Sequence, residues 1–226
     1  MNDDEVWAAI DTQRLRTTDL LDGLAAEEWN RPSLCDGWTV RDVAAHLTLQ
    51  QLTLGPAIRM ALRHPGSLNH MIDAAARNRA RLPTDRIIAM IRDTIGSRRH
   101  NVGLTPRETL IDIVVHGQDM AVPLRRPLEV EPEVAATAAT RVWASRNDRR
   151  KSGVFRRLPY DGSRLTATDT DWSVGEGPEI RGPMLAILLL LTGRPARVPQ
   201  LGGAGATALA ERLARPLPAH ATPEDR

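Results

Sequence analysis

A strongly apolar segment that carries three regularly spaced polar side chains constrains the fold of this chain more than any other feature. Residues 107–122 are apolar nearly all round at their centre, so a helix over this segment should be buried. Asp112, His116 and Asp119 nevertheless stand at positions i, i+4 and i+7, which share one face of a helix. A buried carboxylate without a counter-charge costs several kcal/mol. We therefore expect this face to meet a cation or another charged group.

A divalent metal ion would supply that charge. A carboxylate and an imidazole four residues apart on a helix can bind one ion, so Asp112 and His116 are candidate ligands. The third should come from a second inward-facing helix, where His46 stands beside Val43 and Leu47. Three protein ligands leave one position open for water or substrate, as in catalytic metal sites. The alternative is that these side chains are ordinary core residues, with Asp112 and His116 paired to each other.

Helical patterns dominate the first two-thirds of the chain. Thr39 with Asp42, and Thr105 with Glu108, have the spacing of capping boxes and predict two helix starts. Apolar periodicity predicts a series of helices over residues 3–24, 39–63, 67–82, 84–99, 105–122 and 131–145.

The sequence changes character after Lys151. Short alternating segments predict strands near 164–168, 172–174 and 179–181, followed by helices over 183–192 and 204–215. The fold class is therefore expected to be mainly α plus a small α/β domain. The expected divisions are a helical bundle over 1–148, a small α/β domain over 150–216 and a frayed tail over 217–226.

Composition limits the classes of partner. Hydrophobic residues make up 42% of the 226 residues, enough to bury a core, and a net charge of +2 argues against a nucleic-acid partner. Cys35 is the single cysteine, which excludes disulfides and cysteine-based zinc fingers. No histidine or basic residue adjoins it, so we expect it to be structural.

Compartment and source are also suggested by the sequence. The longest apolar run, 184–191, is too short to span a membrane, and the acidic start is unlike a signal peptide. We expect a cytoplasmic protein with no membrane partner. A single lysine, Lys151, among 30 lysines and arginines is typical of a GC-rich genome such as that of an actinobacterium.

Three blocks of sequence, residues 29–47, 112–121 and 165–194, resemble the mycothiol-dependent maleylpyruvate isomerase family. The resemblance implies a DinB-like four-helix bundle followed by a sterol-carrier-like α+β domain. In that family one histidine, and a glutamate and a histidine four residues apart, hold zinc. The matching residues are His46, Asp112 and His116. Asp112 replaces the glutamate and is one methylene shorter, so the ion should lie closer to the helix or be reached through water.

The same resemblance implies an activity. The metal, zinc or another divalent ion, would activate the small thiol mycothiol to attack a small electrophilic substrate, either for isomerisation or for S-transfer. Arg194 matches a position at which the isomerase holds its anionic substrate. Asp119 should either orient a ligating imidazole or, as we favour, brace the bundle. The alternatives are a non-catalytic metal-binding protein and a stress-related interaction protein of the same fold.

Overall fold

The computed structural model describes residues 1–51, 68–146 and 158–214, without the side chains of residues 68 and 69. Two 3-10 turns, Glu28–Asn30 and Pro195–Gln200, accompany the α-helices of this part of the chain. The α-helices are α1 (Asp3–Asp22), α2 (Val40–Leu47), α3 (Leu68–Arg79), α4 (Thr84–Arg92), α5 (Pro106–Leu124), α6 (Pro132–Ser145), α7 (Met184–Leu191) and α8 (Ala204–Ala214).

Both predicted capping boxes are present. The Thr39 side chain accepts a hydrogen bond from the Asp42 amide, and the Asp42 carboxylate accepts one from the Thr39 amide at 2.9 Å. Thr105 and Glu108 form the same reciprocal arrangement at the start of α5. These local contacts satisfy amide groups that the first turn of a helix leaves without partners.

Several helix ends differ from the predictions. α4 ends at Arg92, although the pattern predicted a helix to residue 99. α5 continues through Pro123, which lies in its last turn, and ends where Arg125 adopts a left-handed conformation with φ of 55°. α2 ends at Leu47, although the pattern predicted a helix to residue 63. Residues 52–63 of that predicted helix lie outside the part of the chain that the structure describes.

The helical bundle is built around α5, which packs against α1, α2 and α6, while α4 packs against α1 and α2. Its core consists of aliphatic side chains, each worth about 1.5–3 kcal/mol when fully buried. They include Val6, Ile10, Val43, Leu47, Ile87, Ile91, Leu110 and Val114. This packing holds the polar face of α5 at a defined distance from α2.

A three-stranded sheet follows in the chain, formed by β1 (Arg164–Ala167), β2 (Ser173–Val174) and β3 (Glu179–Gly182). β1 is central: it pairs antiparallel with β2, Leu165 opposite Val174, and parallel with β3, Leu165 opposite Ile180. Gly177 allows the chain to cross between the edges, since at φ of 114° a β-carbon would lie 2.0 Å from the Gly162 oxygen.

The buried helix α7 joins this sheet to the bundle, because it packs against α6 as well as against β1 and β3. Asp169 caps it by accepting a hydrogen bond from the Met184 amide at 2.8 Å. The predicted fold class, mainly α with a small α/β part, is confirmed. The predicted domain boundary near residue 150 and the tail over 217–226 lie outside the described residues and stay predictions.

None of the helices in the described ranges combines the length and the apolar content that crossing a lipid bilayer requires.

Candidate metal centre

The three predicted metal ligands lie together between α2 and α5. Asp112 Oδ1 lies 3.3 Å from His46 Nε2 and 3.2 Å from His116 Nε2. The two imidazole rings meet edge to face with their centroids 4.8 Å apart. Helical spacing places Asp112 and His116 side by side, and the packing of α2 on α5 brings His46 to them.

These distances fit a divalent cation. A tetrahedral zinc ion with bonds of about 2.0–2.1 Å separates its ligand atoms by about 3.3 Å. One donor atom from each of the three side chains lies within 4.8 Å of the others, and both imidazole distances to Asp112 are close to the zinc value. Two nitrogens and one carboxylate oxygen are also a donor set that zinc accepts.

The electrostatics of the cluster favour positive charge beside Asp112. Burial by itself raises the pKa of the Asp112 carboxyl, but the charge of His46 and a hydrogen bond from His116 hold it well below its usual range. Burial lowers the pKa of His116, but its bonds with Asp112 and Asp119 raise it well above its ordinary value. The carboxylate is thus built to stay ionised, and a divalent ion can supply the positive charge beside it.

The outer atoms of two ligands are held by further hydrogen bonds. The Gln50 amide donates to Asp112 Oδ2 at 2.8 Å, which leaves Oδ1 directed at the two histidines. Asp119 Oδ2 lies 2.9 Å from His116 Nδ1, so the neutral imidazole carries its proton on Nδ1 and has its lone pair on Nε2. A carboxylate that orients a ligating imidazole in this way is common in metal sites. Asp119 therefore makes the contact expected of the orienting role.

Arg194, in the segment after α7, contacts the Asp119 carboxylate that holds His116. Its Nε donates to Asp119 Oδ1 at 2.9 Å and its Nη2 to Asp119 Oδ2 at 2.7 Å. Nη1 donates to the Thr192 carbonyl at 2.5 Å. Burial by itself raises the pKa of Asp119, but bonds from His116 and Arg194 lower it far below its usual range. Arg194 thus lies one side chain away from His116, with the Asp119 carboxylate between them.

Cys35 is a neighbour of the site that the sequence did not reveal. Its Sγ donates to Asp119 Oδ2 at 3.0 Å and lies 3.7 Å from His116 Nδ1 and 3.5 Å from Arg194 Nη2. No histidine or basic residue adjoins Cys35 in the sequence, but the fold brings His116 and Arg194 to it. Its partners come from positions 81 and 159 residues away, which no local pattern indicates.

Cys35, His116 and Asp119 could in principle hold a second ion on the Nδ1 side of His116. The guanidinium of Arg194 argues against it, because Nη2 already places a positive charge on both Asp119 and Cys35. On the Nε2 side no guanidinium contacts the ring in the described part of the chain, and Nε2 faces the ionised Asp112. The group formed by His46, Asp112 and His116 is therefore the better candidate for a metal centre.

The Trp38 side chain covers one side of His46, with ring centroids 5.5 Å apart, and its indole nitrogen donates to Asp73 Oδ1 at 2.7 Å. His46 Nδ1 is buried and has no hydrogen-bond partner in the described part of the chain. Packing thus holds this ring, whereas a hydrogen bond holds His116. The Asp112 side chain is 29% exposed, so solvent reaches the centre of the cluster.

Comparisons with known proteins identify a matching family model and two structures of similar fold. Residues 10–109 match the family model described as the mycothiol maleylpyruvate isomerase N-terminal domain, a range that includes His46 and ends three residues before Asp112. No sequence among the curated proteins matches the chain.

Two solved structures share the fold. One is a crystal structure of the mycothiol-dependent maleylpyruvate isomerase, with a TM-score of 0.60 and 12% identity. The other is a histidine-to-alanine mutant of that isomerase, with a TM-score of 0.61 and 11% identity. Each match covers 91% of this chain and 94% of the other, so the shared fold extends from the helical bundle into the C-terminal part.

Proposed function

Because the chain belongs to the mycothiol-dependent maleylpyruvate isomerase family, we propose that it is a zinc-dependent enzyme that uses mycothiol as its cosubstrate. The proposed reaction is isomerisation, or alternatively S-transfer, of a small electrophilic substrate. The convergence of His46 Nε2, Asp112 Oδ1 and His116 Nε2 on one point carries this proposal.

The proposed ligands are His46, Asp112 and His116. When bound there, zinc lowers the pKa of a thiol so that the reactive thiolate forms at neutral pH. The protein's part is to hold the ligand atoms in place. Gln50 occupies the outer oxygen of Asp112, and Asp119 keeps the His116 proton on Nδ1. With three protein ligands, one coordination position remains for the thiol.

The replacement of glutamate by aspartate is compatible with this arrangement. Asp112 Oδ1 lies within 3.3 Å of both imidazole Nε2 atoms, so the shorter side chain still reaches the point on which the histidines converge. This contact supports direct ligation by Asp112 over ligation through a water molecule.

Arg194 stays a predicted site residue, and we propose that it acts first as a positioning residue. Its donors are occupied by Asp119 and by the Thr192 carbonyl, so in this arrangement it orients the carboxylate that orients His116. The earlier expectation, that Arg194 holds an anionic substrate, requires it to leave Asp119. A conservative Arg194→Lys variant separates the roles, because substrate binding changes KM whereas positioning changes metal affinity.

The decisive experiment measures metal content by elemental analysis after purification without added metal. We expect near one zinc per chain in the wild type and loss of zinc in His116→Ala. His100→Ala is the matched control, since that imidazole stacks on Trp7 away from the cluster. Zinc-free wild type that stays empty when zinc is supplied would favour the alternative of a core ion pair, and the enzyme proposal would be abandoned.

Activity is tested next on the zinc-loaded protein. We expect mycothiol-dependent turnover of a cis-enone or addition of mycothiol to a model electrophile, each lost in His116→Ala. Bound zinc without any thiol chemistry over a panel of electrophiles would instead indicate a non-catalytic metal-binding protein.

A further inference from the structure

His46 differs from His116 in how its ring is held. Asp119 holds Nδ1 of His116, whereas Nδ1 of His46 is buried and has no hydrogen-bond partner in the described part of the chain. Ligating histidines commonly donate this second N–H to a carboxylate or a carbonyl, which fixes the orientation of the ring. The orientation of the His46 ring therefore depends on the side chains that pack against it.

The indole of Trp38 packs against His46. The two ring centroids lie 5.5 Å apart and the ring planes meet at 54°. Trp38 lies in the loop before α2, where its carbonyl accepts a hydrogen bond from Ser33 Oγ at 2.8 Å and its amide donates to the Cys35 carbonyl at 3.0 Å. These bonds fix the backbone of Trp38 and leave the rotation of its side chain to other contacts.

A carboxylate on α3 fixes that rotation. Trp38 Nε1 donates to Asp73 Oδ1 at 2.7 Å. This hydrogen bond lowers the pKa of the Asp73 carboxyl, so the acceptor is ionised at neutral pH. Hydrogen bonds to a charged acceptor are stronger than those between neutral groups. The indole thus contacts His46 with its ring and a carboxylate with its nitrogen.

Arg77, one turn further along α3, contacts both the carboxylate and the loop. Its Nε lies 3.0 and 3.1 Å from the two oxygens of Asp73, and its Nη2 donates to the Gly37 carbonyl at 3.0 Å. Gly37 immediately precedes Trp38 and has a positive φ of 75°. The Asp73–Arg77 pair therefore holds Trp38 at two points, the indole nitrogen and the carbonyl before the residue.

The Asp73–Arg77 pair lies at the surface, with side chains 39% and 51% exposed. An exposed ion pair of this kind contributes little to stability. Its contacts with the loop before α2 point to another role, because α3 also packs against α2, the helix that carries His46. The pair thus joins the elements that surround this histidine.

We propose that Asp73 is a positioning residue for the metal centre, because it holds Trp38 in the orientation that fixes the ring of His46. The inference rests on the proposed function in taking His46 to be a zinc ligand. Asp73 acts through Trp38 and needs no contact of its own with the ion, and Arg77 supports the Asp73 carboxylate.

The first test measures zinc affinity by competition with a chromogenic chelator in the wild type, Asp73→Ala, Trp38→Phe and the double variant. We expect Asp73→Ala to weaken zinc binding by about fivefold, less than the roughly 10–100-fold found for groups bonded directly to a ligand. Phenylalanine has no N–H to donate, so Asp73→Ala should have no further effect in Trp38→Phe. Equal weakening in both backgrounds would overturn the proposal, as would wild-type affinity in Asp73→Ala.

Asp73→Asn is the conservative variant. Its carbonyl oxygen still accepts from the indole nitrogen, so we expect it to restore most of the zinc affinity that Asp73→Ala loses. Asp22→Ala is the matched control, because Asp22 forms a similarly exposed ion pair with Arg92, and it should bind zinc like the wild type. If Asp73→Asn binds zinc as weakly as Asp73→Ala, the charge and not the hydrogen bond is responsible, and the proposal fails.

The second test uses the metal-free protein. The NMR signals of the His46 ring protons, identified by their absence in His46→Ala, report the ring current of Trp38. We expect these signals to shift in Asp73→Ala and to stay unchanged in Asp22→Ala. Unchanged His46 signals in Asp73→Ala would overturn the proposal. A wild type that binds no zinc but shows these shifts would contradict the proposed function and leave the positioning of His46 by Asp73 standing.

Discussion

Arg194 and Asp119 form a two-bond ion pair in which both carboxylate oxygens of Asp119 accept from the guanidinium, at 2.9 and 2.7 Å. The Asp119 side chain has 0% exposure and that of Arg194 13%. The pair joins the segment after α7 to the C-terminal part of α5, and its carboxylate also contacts His116. The segment after α7 thereby contacts the candidate metal centre through Asp119.

Breaking this pair on one side should be costly. We expect Arg194→Met and Asp119→Asn each to lower the free energy of unfolding by about 3 kcal/mol or more, because a buried charge is left without its partner. The double variant should lose clearly less than the sum of the two. Denaturant unfolding in chelator measures all four proteins. Additive losses would contradict the pairing. The comparison is the Arg16–Glu131 surface pair, for which we expect a coupling free energy below about 1 kcal/mol.

The hydrogen bonds behind the ligands should set metal affinity. We expect Gln50→Leu and Asp119→Asn each to weaken zinc binding by about 10–100-fold, the range found when such supporting contacts are removed. Competition with a chromogenic chelator gives the affinities. Asp85→Asn, a change in the first turn of α4, is the control and should bind zinc like the wild type. Unchanged affinity in both test variants would show that the ligands hold their orientation by packing alone.

Cys35 should not be a metal ligand. Its Sγ faces Nδ1 of His116 and not the Nε2 that points to Asp112, and Arg194 lies 3.5 Å from it. We expect Cys35→Ala to retain about one zinc per chain, whereas His46→Ala loses it. Elemental analysis of both variants, prepared side by side, checks this. Loss of zinc in Cys35→Ala would indicate that the metal binds on the Nδ1 side of His116 instead.

Glu108 should contribute to stability in a pH-dependent way. Burial by itself raises its pKa, but hydrogen bonds from Thr105 and Arg141 outweigh burial and lower the pKa to about 2. Since the folded pKa lies below the value of 4.5 for a free glutamate, the contribution is complete above that value and is lost as the pH falls toward 2.

We therefore expect Glu108→Gln to lower the free energy of unfolding by about 1–2 kcal/mol at pH 7, and the difference from wild type to shrink between pH 5 and about 2. Denaturant unfolding at a series of pH values measures it. Glu133→Gln, which changes an exposed carboxyl in the first turn of α6, should show no such trend. If the difference in unfolding free energy between Glu108→Gln and the wild type stays constant with pH, the lowered pKa of Glu108 is contradicted.

Local patterns account for much of the fold. The capping boxes at Thr39 and Thr105 are local contacts between residues three apart, so the sequence shows them directly. The sequence also predicts the strands around Leu165 and Ile180, because alternation is a property of adjacent residues. Pro123 was expected to follow the end of α5, but the helix includes it. Proline has no N–H to donate to the Asp119 carbonyl, and that carbonyl accepts a hydrogen bond from the Leu34 amide at 3.0 Å instead.

The sequence by itself determined the relation of Asp112 to His116, since two residues four positions apart in a helix lie on the same face. It also singled out His46, because a polar residue on an apolar helix face requires a partner. Tertiary structure alone decided the contacts of Cys35, Arg194 and Gln50 around them, and left Arg14 with two buried donors. Those relations depend on how α1, α2, α5 and the segment after α7 pack, and packing joins residues whose separation along the chain carries no periodic signal.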